Sequence, residues 1–497
     1  MSLYPTRRAA LSALAGSLSF PSLSSAQNRR PNVLFVMTDD QRWDAMSCAG
    51  NTILKTPNMD RLAAGGVRFA NAFATNPLCS PSRGTILTGL YSHAHGVTTN
   101  GGRTHYLKGD TRGFPEVLRN QGYYTAMIGK WHIASTPPGF DHWCILPGQG
   151  AYFDPQMVTA SGRVKFRGYV DDVIADQVLA VLESRPRNKP FSLICNFKAP
   201  HRDWRPAPRF ANTYDDITIL EPALFHQDLN ERPAAIRGTD MQIADMPDFF
   251  ERGVDRNLPR DERKKRNYQL FLKNYYRTIL GVDENLGRIL DYLDKQGLAE
   301  NTIVIYTGDN GFFLGEYGMF DKRLMYEPSI RVPMLVRYPA AIKPGVDREH
   351  MVLNNDVAHT IVDYCGGSLP PYASSHGRSW RPLFDGAAAV PWRADWLYEN
   401  FEYPGPHCAP KARGIRTAEW KLIHYIQQPQ TFEMFHLPAD PGETRNLAEN
   451  PQHRPQLETL KMRLHQLRRE TADEFGEDGT APGPCTNRMA AREGGSR

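Results

Sequence analysis

From Asn32 onward the sequence alternates apolar runs of strand length with helical patterns, and this alternation constrains the fold more than any other feature. It predicts βαβ units and a large, mostly parallel or mixed sheet covered by helices on both faces. The first run is Val33-Leu34-Phe35-Val36-Met37. Thr56 is placed to cap a helix that has Pro57 at its first position, contains Leu62 and Ala63, and stops at Gly65-Gly66. An amphipathic pattern from about Tyr268 to Lys295 sets Phe271, Ile279, Val282, Leu286, Ile289 and Leu293 near one face; Gly297 closes it and the apolar run Thr302 to Tyr306 follows.

Between Arg205 and Asp261 the periodicity gives way to a Pro- and charge-rich stretch, expected to be a long loop or insertion beside the sheet. After about Pro391 short β-like pieces, Trp396 to Tyr398 and Trp420 to Tyr425, precede a helix from about Pro455 to Thr471. The expected organisation is an export signal over 1–26, a catalytic domain over 27–390, a smaller α+β subdomain over 391–475 and a disordered tail over 476–497. The export reading rests on Thr6-Arg7-Arg8, a weakly apolar stretch from Ala9 to Phe20 and the small-residue site Ser24-Ser25-Ala26, a twin-arginine pattern implying a periplasmic or extracellular protein. No later run reaches the roughly 18 apolar residues of a membrane span.

Lys and Arg exceed Asp and Glu by only 59 to 54, scattered along the chain, which argues against a nucleic-acid partner. The densest basic run, Lys264-Lys265-Arg266, reads as a solvated face. The seven cysteines show neither CxxC pairs nor regular spacing, so neither a zinc site nor a disulfide framework is indicated.

Ligands of an open α/β sheet bind beyond the carboxyl ends of its strands. Four apolar runs end in polar groups: Asp39-Asp40, then Lys130 and His132, then Lys198 and His201, then Asp309-Asn310. Four such ends imply one shared crevice. Each histidine taken alone is also compatible with an ordinary hydrogen-bonded residue, and Asp39-Asp40 alone with a turn or helix cap. Together, three carboxylates and an amide oxygen from two strands form a hard oxygen site suited to calcium, or less well to magnesium. Cys79-Ser80-Pro81-Ser82-Arg83-Gly84-Thr85-Ile86-Leu87-Thr88-Gly89 reads as a loop entering a helix, which sets Cys79 beside free N–H groups. Unmodified, it would be either a low-pKa thiolate nucleophile or a small buried hydrophobe.

The run Cys79-x-Pro81-x-Arg83, followed by Gly-Thr-Ile-Leu-Thr-Gly, resembles the signature of the type I, formylglycine-dependent sulfatases of the alkaline phosphatase superfamily. Asn32 to Gln41, Gly129-Lys130-Trp131-His132, Thr307-Gly308-Asp309-Asn310-Gly311 and Phe320-Asp321-Lys322-Arg323 resemble further motifs of that family in the same order. The resemblance implies that a separate maturation enzyme oxidises Cys79 to formylglycine. The hydrated aldehyde would rest on one Ca2+ bound by Asp39, Asp40, Asp309 and Asn310, and would attack sulfur to give a sulfated intermediate. His201, helped by Lys322, would protonate the leaving alkoxide; Arg83 and Lys130 would hold the diol and sulfate oxygens; His132 would take the proton that expels sulfate. Three carboxylates against a divalent ion leave one negative charge, and Arg83, Lys130 and Lys322 make the pocket net positive, suited to an anionic ester.

The segment Lys198 to Trp204 is similar to that of sulfatases acting on sulfated glycans, including N-acetylglucosamine-6-sulfatases, with Asp203 where many relatives carry proline. Arg202, Trp204 and Arg205 are candidates to contact the sugar or, equally, to anchor the long loop; Tyr403 and His407 are weaker candidates for the pocket rim. The expected activity is hydrolysis of a sulfate ester on a carbohydrate. The alternatives are a phosphodiesterase or phosphonate monoester hydrolase built from the same parts, and a catalytically silent carbohydrate-binding protein.

Overall fold

The computed structural model describes residues 30–101, 107–108, 111–227, 229–230, 232–250, 252–385, 390–427 and 429–474. The expected export signal, the expected tail and Cys485 lie outside the described residues.

Ten strands form the main sheet: β1 (Asn32–Thr38), β2 (Val67–Phe69), β3 (Tyr124–Lys130), β4 (His142–Leu146), β5 (Gln156–Thr159), β6 (Gly162–Lys165), β7 (Phe191–Asn196), β8 (Thr302–Gly308), β9 (Met334–Arg337) and β10 (Gly345–Asp347). Their spatial order is β10-β2-β9-β8-β1-β7-β3-β4-β5-β6. The five strands β8-β1-β7-β3-β4 run parallel, and antiparallel strands flank them on both sides. Side chains alternate between faces with the period of two that a pleated strand imposes. Leu34, Val36, Ile128, Leu193 and Val304 enter one core, while Val33, Phe35, Met127, Ile194 and Ile303 enter the other. With both faces covered, β1 is buried along its whole length, hence its unbroken apolar run.

Helices α1 (Pro57–Ala64), α4 (Val170–Ser184) and α5 (Arg260–Lys295) cover the first face; α2 (Cys79–Thr88), α3 (Phe114–Asn120) and α6 (Asp356–Tyr364) cover the second. Thr56 stands before α1 but does not cap it with its side chain: the Thr56 hydroxyl accepts the Ser47 N–H instead, at 2.9 Å. Helix α5 begins eight residues before the apolar periodicity becomes visible, because its first two turns are polar, and the basic run lies inside it. Lys264 is therefore not solvated. It is buried and donates to the Phe225 carbonyl at 3.0 Å, while Lys265 and Arg266 remain exposed.

The stretch after Arg205 packs rather than floats. A turn delivers Phe225, and two 3-10 helices with the residue between them deliver Ile243, Met246 and Phe249, to the core beneath α5. Beyond the main sheet, β11 (Asp395–Asn400), β12 (Ala412–Thr417), β13 (Trp420–Tyr425) and β14 (Thr431–His436) make an antiparallel sheet in sequential order. Helix α7 (Arg454–Glu470) lays Leu457, Leu460, Leu464 and Leu467 on one face of it. The other face packs Trp396, Tyr398 and Ile423 against Phe73, Met325 and Ile330, so one apolar core ties it to the main sheet. Cys48, Cys79, Cys144, Cys195 and Cys365 are free thiols, whereas Cys408 is disulfide-bonded.

Parallel register brings the strand ends level. Thr38 pairs with Gly308, Met37 with Asn196 and Gly129 with Asn196. At that level Gly129 adopts a φ of +101°, and a Cβ there would lie 1.9 Å from the Asn196 carbonyl oxygen. Only glycine fits. Gly129→Ala is expected to lower stability by about 2–4 kcal/mol in a urea titration; an unchanged midpoint would contradict this account of the strand end.

Candidate active site

Each central strand ends at one level, so the residues just beyond meet in one crevice. Backbone bonds lock the turns together: Asp309 N–H donates to the Thr38 carbonyl at 3.0 Å and Asp39 N–H to the Ala199 carbonyl at 3.2 Å. Carboxylate oxygens of Asp39, Asp40 and Asp309 lie within 4.8 Å of one another, all fully buried. At an effective dielectric of about 20, two such charges repel by roughly 3–4 kcal/mol, so the cluster requires compensation. Cations from three other segments provide it. Arg83 donates from Nε and Nη2 to Asp309 Oδ2 at 3.1 and 2.8 Å and stands 3.5 Å from Asp39. Lys130 pairs with Asp39, and Lys322 pairs with Asp40.

This compensation is uneven, and the carboxyls titrate apart. Burial alone would raise Asp39, but Lys130, His201, Arg83 and Lys322 together hold it well below the usual carboxylate range. Burial and the charge of Asp39 push Asp309 up to about 7. Burial likewise raises Asp40, against the pull of Lys322. Two buried oxygens in the cluster, Asp40 Oδ2 and Asn310 Oδ1, accept no hydrogen bond. Buried acceptors are normally paired, and these belong to the three carboxylates and one amide that suit a hard cation. The residues therefore fit a calcium-type ion.

Cys79 is the first residue of α2, with Sγ 3.5 Å from Asp39 Oδ1. The expectation of an acidic thiol fails: burial, with Asp39 adding to it against Lys322, pushes the thiol up to about 12. Helix N–H groups favour an anion, but desolvation among carboxylates costs more. Burial beside Asp39 and Asp309 thus disfavours the thiolate of an unmodified Cys79.

His201 and His132 stand at the ends of β7 and β3. His201 Nδ1–H donates to the Arg202 carbonyl at 2.6 Å, since a carbonyl only accepts, which turns Nε2 toward Asp40 Oδ2 at 3.9 Å. Burial, then Lys130, hold this imidazole well below its ordinary value. The His132 carbonyl accepts from the Ser80 hydroxyl at 2.6 Å, joining the start of α2 to the turn after β3. Asp40 at φ +69° and His132 at +54° occupy the left-handed region, as do Asp321 at +81° and Arg323 at +86° on either side of Lys322. Such backbone concentrates at functional sites.

Several contributors carry no periodic or motif signal. Gln149, in the turn after β4, bonds Lys130 through its side chain and receives Lys198 Nζ on its carbonyl at 3.0 Å. Tyr275 on α5 donates to the Asp40 carbonyl at 2.7 Å. Asp321 accepts Lys322 N–H at 2.7 Å and lies 2.9 Å from His407 Nε2. Glu402 bonds Arg323 at 2.9 Å. His407 is therefore not a rim residue but a buried partner of Asp321, and Tyr403 is half-buried. The flanking positions Asp321 and Arg323 were visible beside the lysine in sequence; their partners some eighty residues away were not.

One substrate candidate is corrected. Trp204 has no exposed surface and packs among Phe249, Phe271 and Phe312 at centroid distances of 6.1, 4.7 and 6.3 Å, so it anchors the insertion and does not meet a sugar. Arg202 forks onto Asp248 at 2.8 and 2.6 Å with its guanidinium over Phe320, which ties the turn after His201 to the insertion, and its side chain stays 23% exposed. Arg205 is exposed, 3.5 Å from Asp203.

Known proteins resemble this chain over most of its length. A solved structure described as a complex with its substrate, D-glucosamine-2-N,6-O-disulfate, superposes with a TM-score of 0.83 at 37% identity, over 90% of this chain and all of that one. An N-acetylglucosamine-6-O-sulfatase of Bacteroides thetaiotaomicron is 38% identical over 92% of this chain and 90% of its own length. Human N-acetylglucosamine-6-sulfatase is 27% identical over 86% and 82%. The C-terminal pattern of N-sulphoglucosamine sulphohydrolase matches residues 315–470. A phosphonate monoester hydrolase of Agrobacterium radiobacter shares the fold, with a TM-score of 0.69 at 21% identity. The sulfatase family pattern itself matches residues 31–367, spanning all four strand ends, and the chain belongs to that family of sulfuric ester hydrolases.

Proposed function

We propose that the chain removes sulfate from the 6-hydroxyl of a glucosamine unit in a sulfated glycan, with Cys79 converted to formylglycine and Asp39, Asp40, Asp309 and Asn310 holding calcium. The observation that carries this reading is the place of Cys79 at the head of α2, with Sγ 3.5 Å from Asp39 in an acidic cluster that keeps two buried oxygens without a hydrogen bond. Position 79 thus stands beside a place for a cation. The sugar is supported by two relatives above 35% identity, one named an N-acetylglucosamine-6-O-sulfatase and one solved with a glucosamine disulfate.

Calcium at the cluster would supply the positive charge that makes a hydroxyl on residue 79 acidic enough to attack sulfur. The chain's own groups do the rest. Arg83 and Lys130, already fixed on Asp309 and Asp39, orient that hydroxyl and the sulfate oxygens with donors that need no reorganisation. Lys322 faces the pocket from the opposite side on Asp40. His201, turned by the Arg202 carbonyl so that Nε2 faces the pocket, gives its proton to the leaving sugar oxygen. An anionic ester seated against it opposes the downward shift caused by burial and Lys130, and restores that proton. His132 stands at the turn that Ser80 ties to α2 and takes the proton that releases sulfate.

Export by the twin-arginine route, with maturation of residue 79 by a separate enzyme beforehand, belongs to the same reading and rests on Arg7-Arg8 and the small-residue site after them. Among the described residues no helix is long and apolar enough to cross a membrane. The phosphonate hydrolase alternative shares only the fold; relative turnover of a sulfate and a phosphonate aryl ester separates the two.

Peptide mass spectrometry of active protein is expected to find an aldehyde or its hydrate at residue 79. A thiol there in every active preparation would end the proposal. Thorough chelation should abolish turnover, calcium should restore it, and magnesium should restore it less because it prefers a rigid octahedron; activity indifferent to chelation would remove the metal from the mechanism. His201→Ala is expected to lower kcat by about 10²–10⁴-fold on a sugar sulfate. The loss should be far smaller on 4-nitrophenyl sulfate, whose leaving group departs without a proton, and equal losses on both would rule out the general-acid role.

A further inference from the structure

A second charged site lies at the opposite end of the sheet. The amino ends of β1, β7 and β8, with the connections that lead into them, enclose a cavity of about 420 Å³ lined by Arg30, Arg185, Arg187 and Lys189, together with Asn32, Asn188 and Asn301. Catalytic groups occupy the carboxyl ends of the same strands. Seven residues of β1 at about 3.3 Å each put the two sites some 20 Å apart across the sheet.

No carboxylate lines the cavity, and among the described residues none of the four cations forms an ion pair with an acidic side chain. Surface arginines and lysines elsewhere in this chain are commonly paired: Arg61 with Asp291 and Asp294, Arg209 with Asp172 and Glu284, Arg288 with Asp176. The net charge of the whole chain is only +5, so four unpaired cations around one cavity are a local concentration. Arg185 carries the argument furthest. It is 7% exposed, and its protein oxygen partners are neutral, the Leu182 carbonyl among them. Burial, followed by repulsion from Arg187, lowers its pKa, the reverse of Arg209, which Asp172 and Glu284 raise. A buried cation without a counter-charge is costly, and an anion arriving from solution relieves it. The guanidinium of Arg185 stands over the Phe191 ring, and that of Arg30 over the Tyr123 ring, each with its centre 5.1 Å from the ring centroid. Stacking of this kind holds the planar fork still, ready for two parallel bonds to an oxyanion.

We propose that this cavity is an exosite for a sulfate group of the glycan chain, holding the polymer away from the catalytic crevice. The anionic character of the ligand follows from the cavity; its identity as a sulfated glycan rests on the function proposed above. Bound there, a long substrate is retained by the enzyme while other units visit the active site, which raises effective concentration without changing the chemistry.

The test uses the full-length enzyme and a size-defined heparin oligosaccharide, with Arg187→Glu/Lys189→Glu on the exposed rim and Arg185→Gln as a separate variant. Affinity for the oligosaccharide, measured at low salt in a His201→Ala background so that glucosamine 6-sulfate saturates the catalytic crevice without being consumed, should fall about tenfold or more in the rim variant. Activity on 4-nitrophenyl sulfate should remain within twofold, since neither position touches the catalytic groups, and this also certifies that the variant is folded. Arg185→Gln should weaken oligosaccharide binding in the same direction. Unchanged affinity in the folded rim variant would overturn the exosite, and displacement of the oligosaccharide by an equal concentration of inorganic sulfate would overturn its assignment to a glycan chain. If oligosaccharide binding depends on the rim while no sulfated sugar is hydrolysed, the exosite stands and the proposed function falls.

Discussion

Mutual repulsion of Asp39, Asp40 and Asp309 is the interaction around which the molecule is arranged. Three carboxylates this close and this deeply buried are tolerated only where cations are brought to them, and none of those cations is a sequence neighbour. Arg83 comes from a helix on one face, Lys130 from the adjacent strand end, and Lys322 from a turn ordered by the two-residue ladder Phe313–Leu314 with Phe320–Asp321. A cluster whose compensation comes from three other segments is correctly charged only when the sheet register is right. Strand alignment and electrostatics therefore specify the same state.

Around this centre lies a supporting layer that the insertion and the C-terminal sheet complete. Trp204 and Arg202 pin the insertion beneath α5 directly after His201, so the turn carrying the histidine is held from behind by aromatic packing and by the Asp248 fork. On the opposite side Asp321 and Arg323 bracket Lys322 and are themselves held by His407 and Glu402, which follow β11. The small sheet thus has a chemical function as well as a packing one, because it fixes the backbone on both sides of a lysine that must face Asp40. His93, in the short helix Ser92–His95 that follows α2, donates from one ring nitrogen to Glu399 and from the other to the Thr471 carbonyl at 2.7 Å, joining that helix to the same region.

The two ends of the central strands divide the work. Carboxyl ends, where strand-end residues converge, hold acids, lysines and histidines in a buried cluster. Amino ends present arginines and a lysine to solvent around an open cavity, where they interact with charge at longer range and under salt screening.

How much of this was legible in the sequence depended on whether the signal was local. Alternation of apolar runs and helical patterns determined the layered sheet, and polar residues immediately after the runs marked Asp39, Lys130, His201 and Asp309, because a strand exports its last residues to a predictable place. The Cys-x-Pro-x-Arg run marked Cys79 for the same reason, with proline fixing where the helix starts. Properties that arise from neighbours distant in sequence were decided only by the tertiary structure. The thiol of Cys79 is raised rather than lowered chiefly because the folded chain buries it, with Asp39 and Asp309 adding to that against Lys322 and Lys130. Trp204 and Lys264, polar or amphipathic in a charged stretch, are buried because the insertion folds back under a helix that begins before its apolar stripe does. Local pattern reports which backbone a segment adopts; desolvation and charge compensation depend on what that backbone is brought against, and only the folded chain determines that.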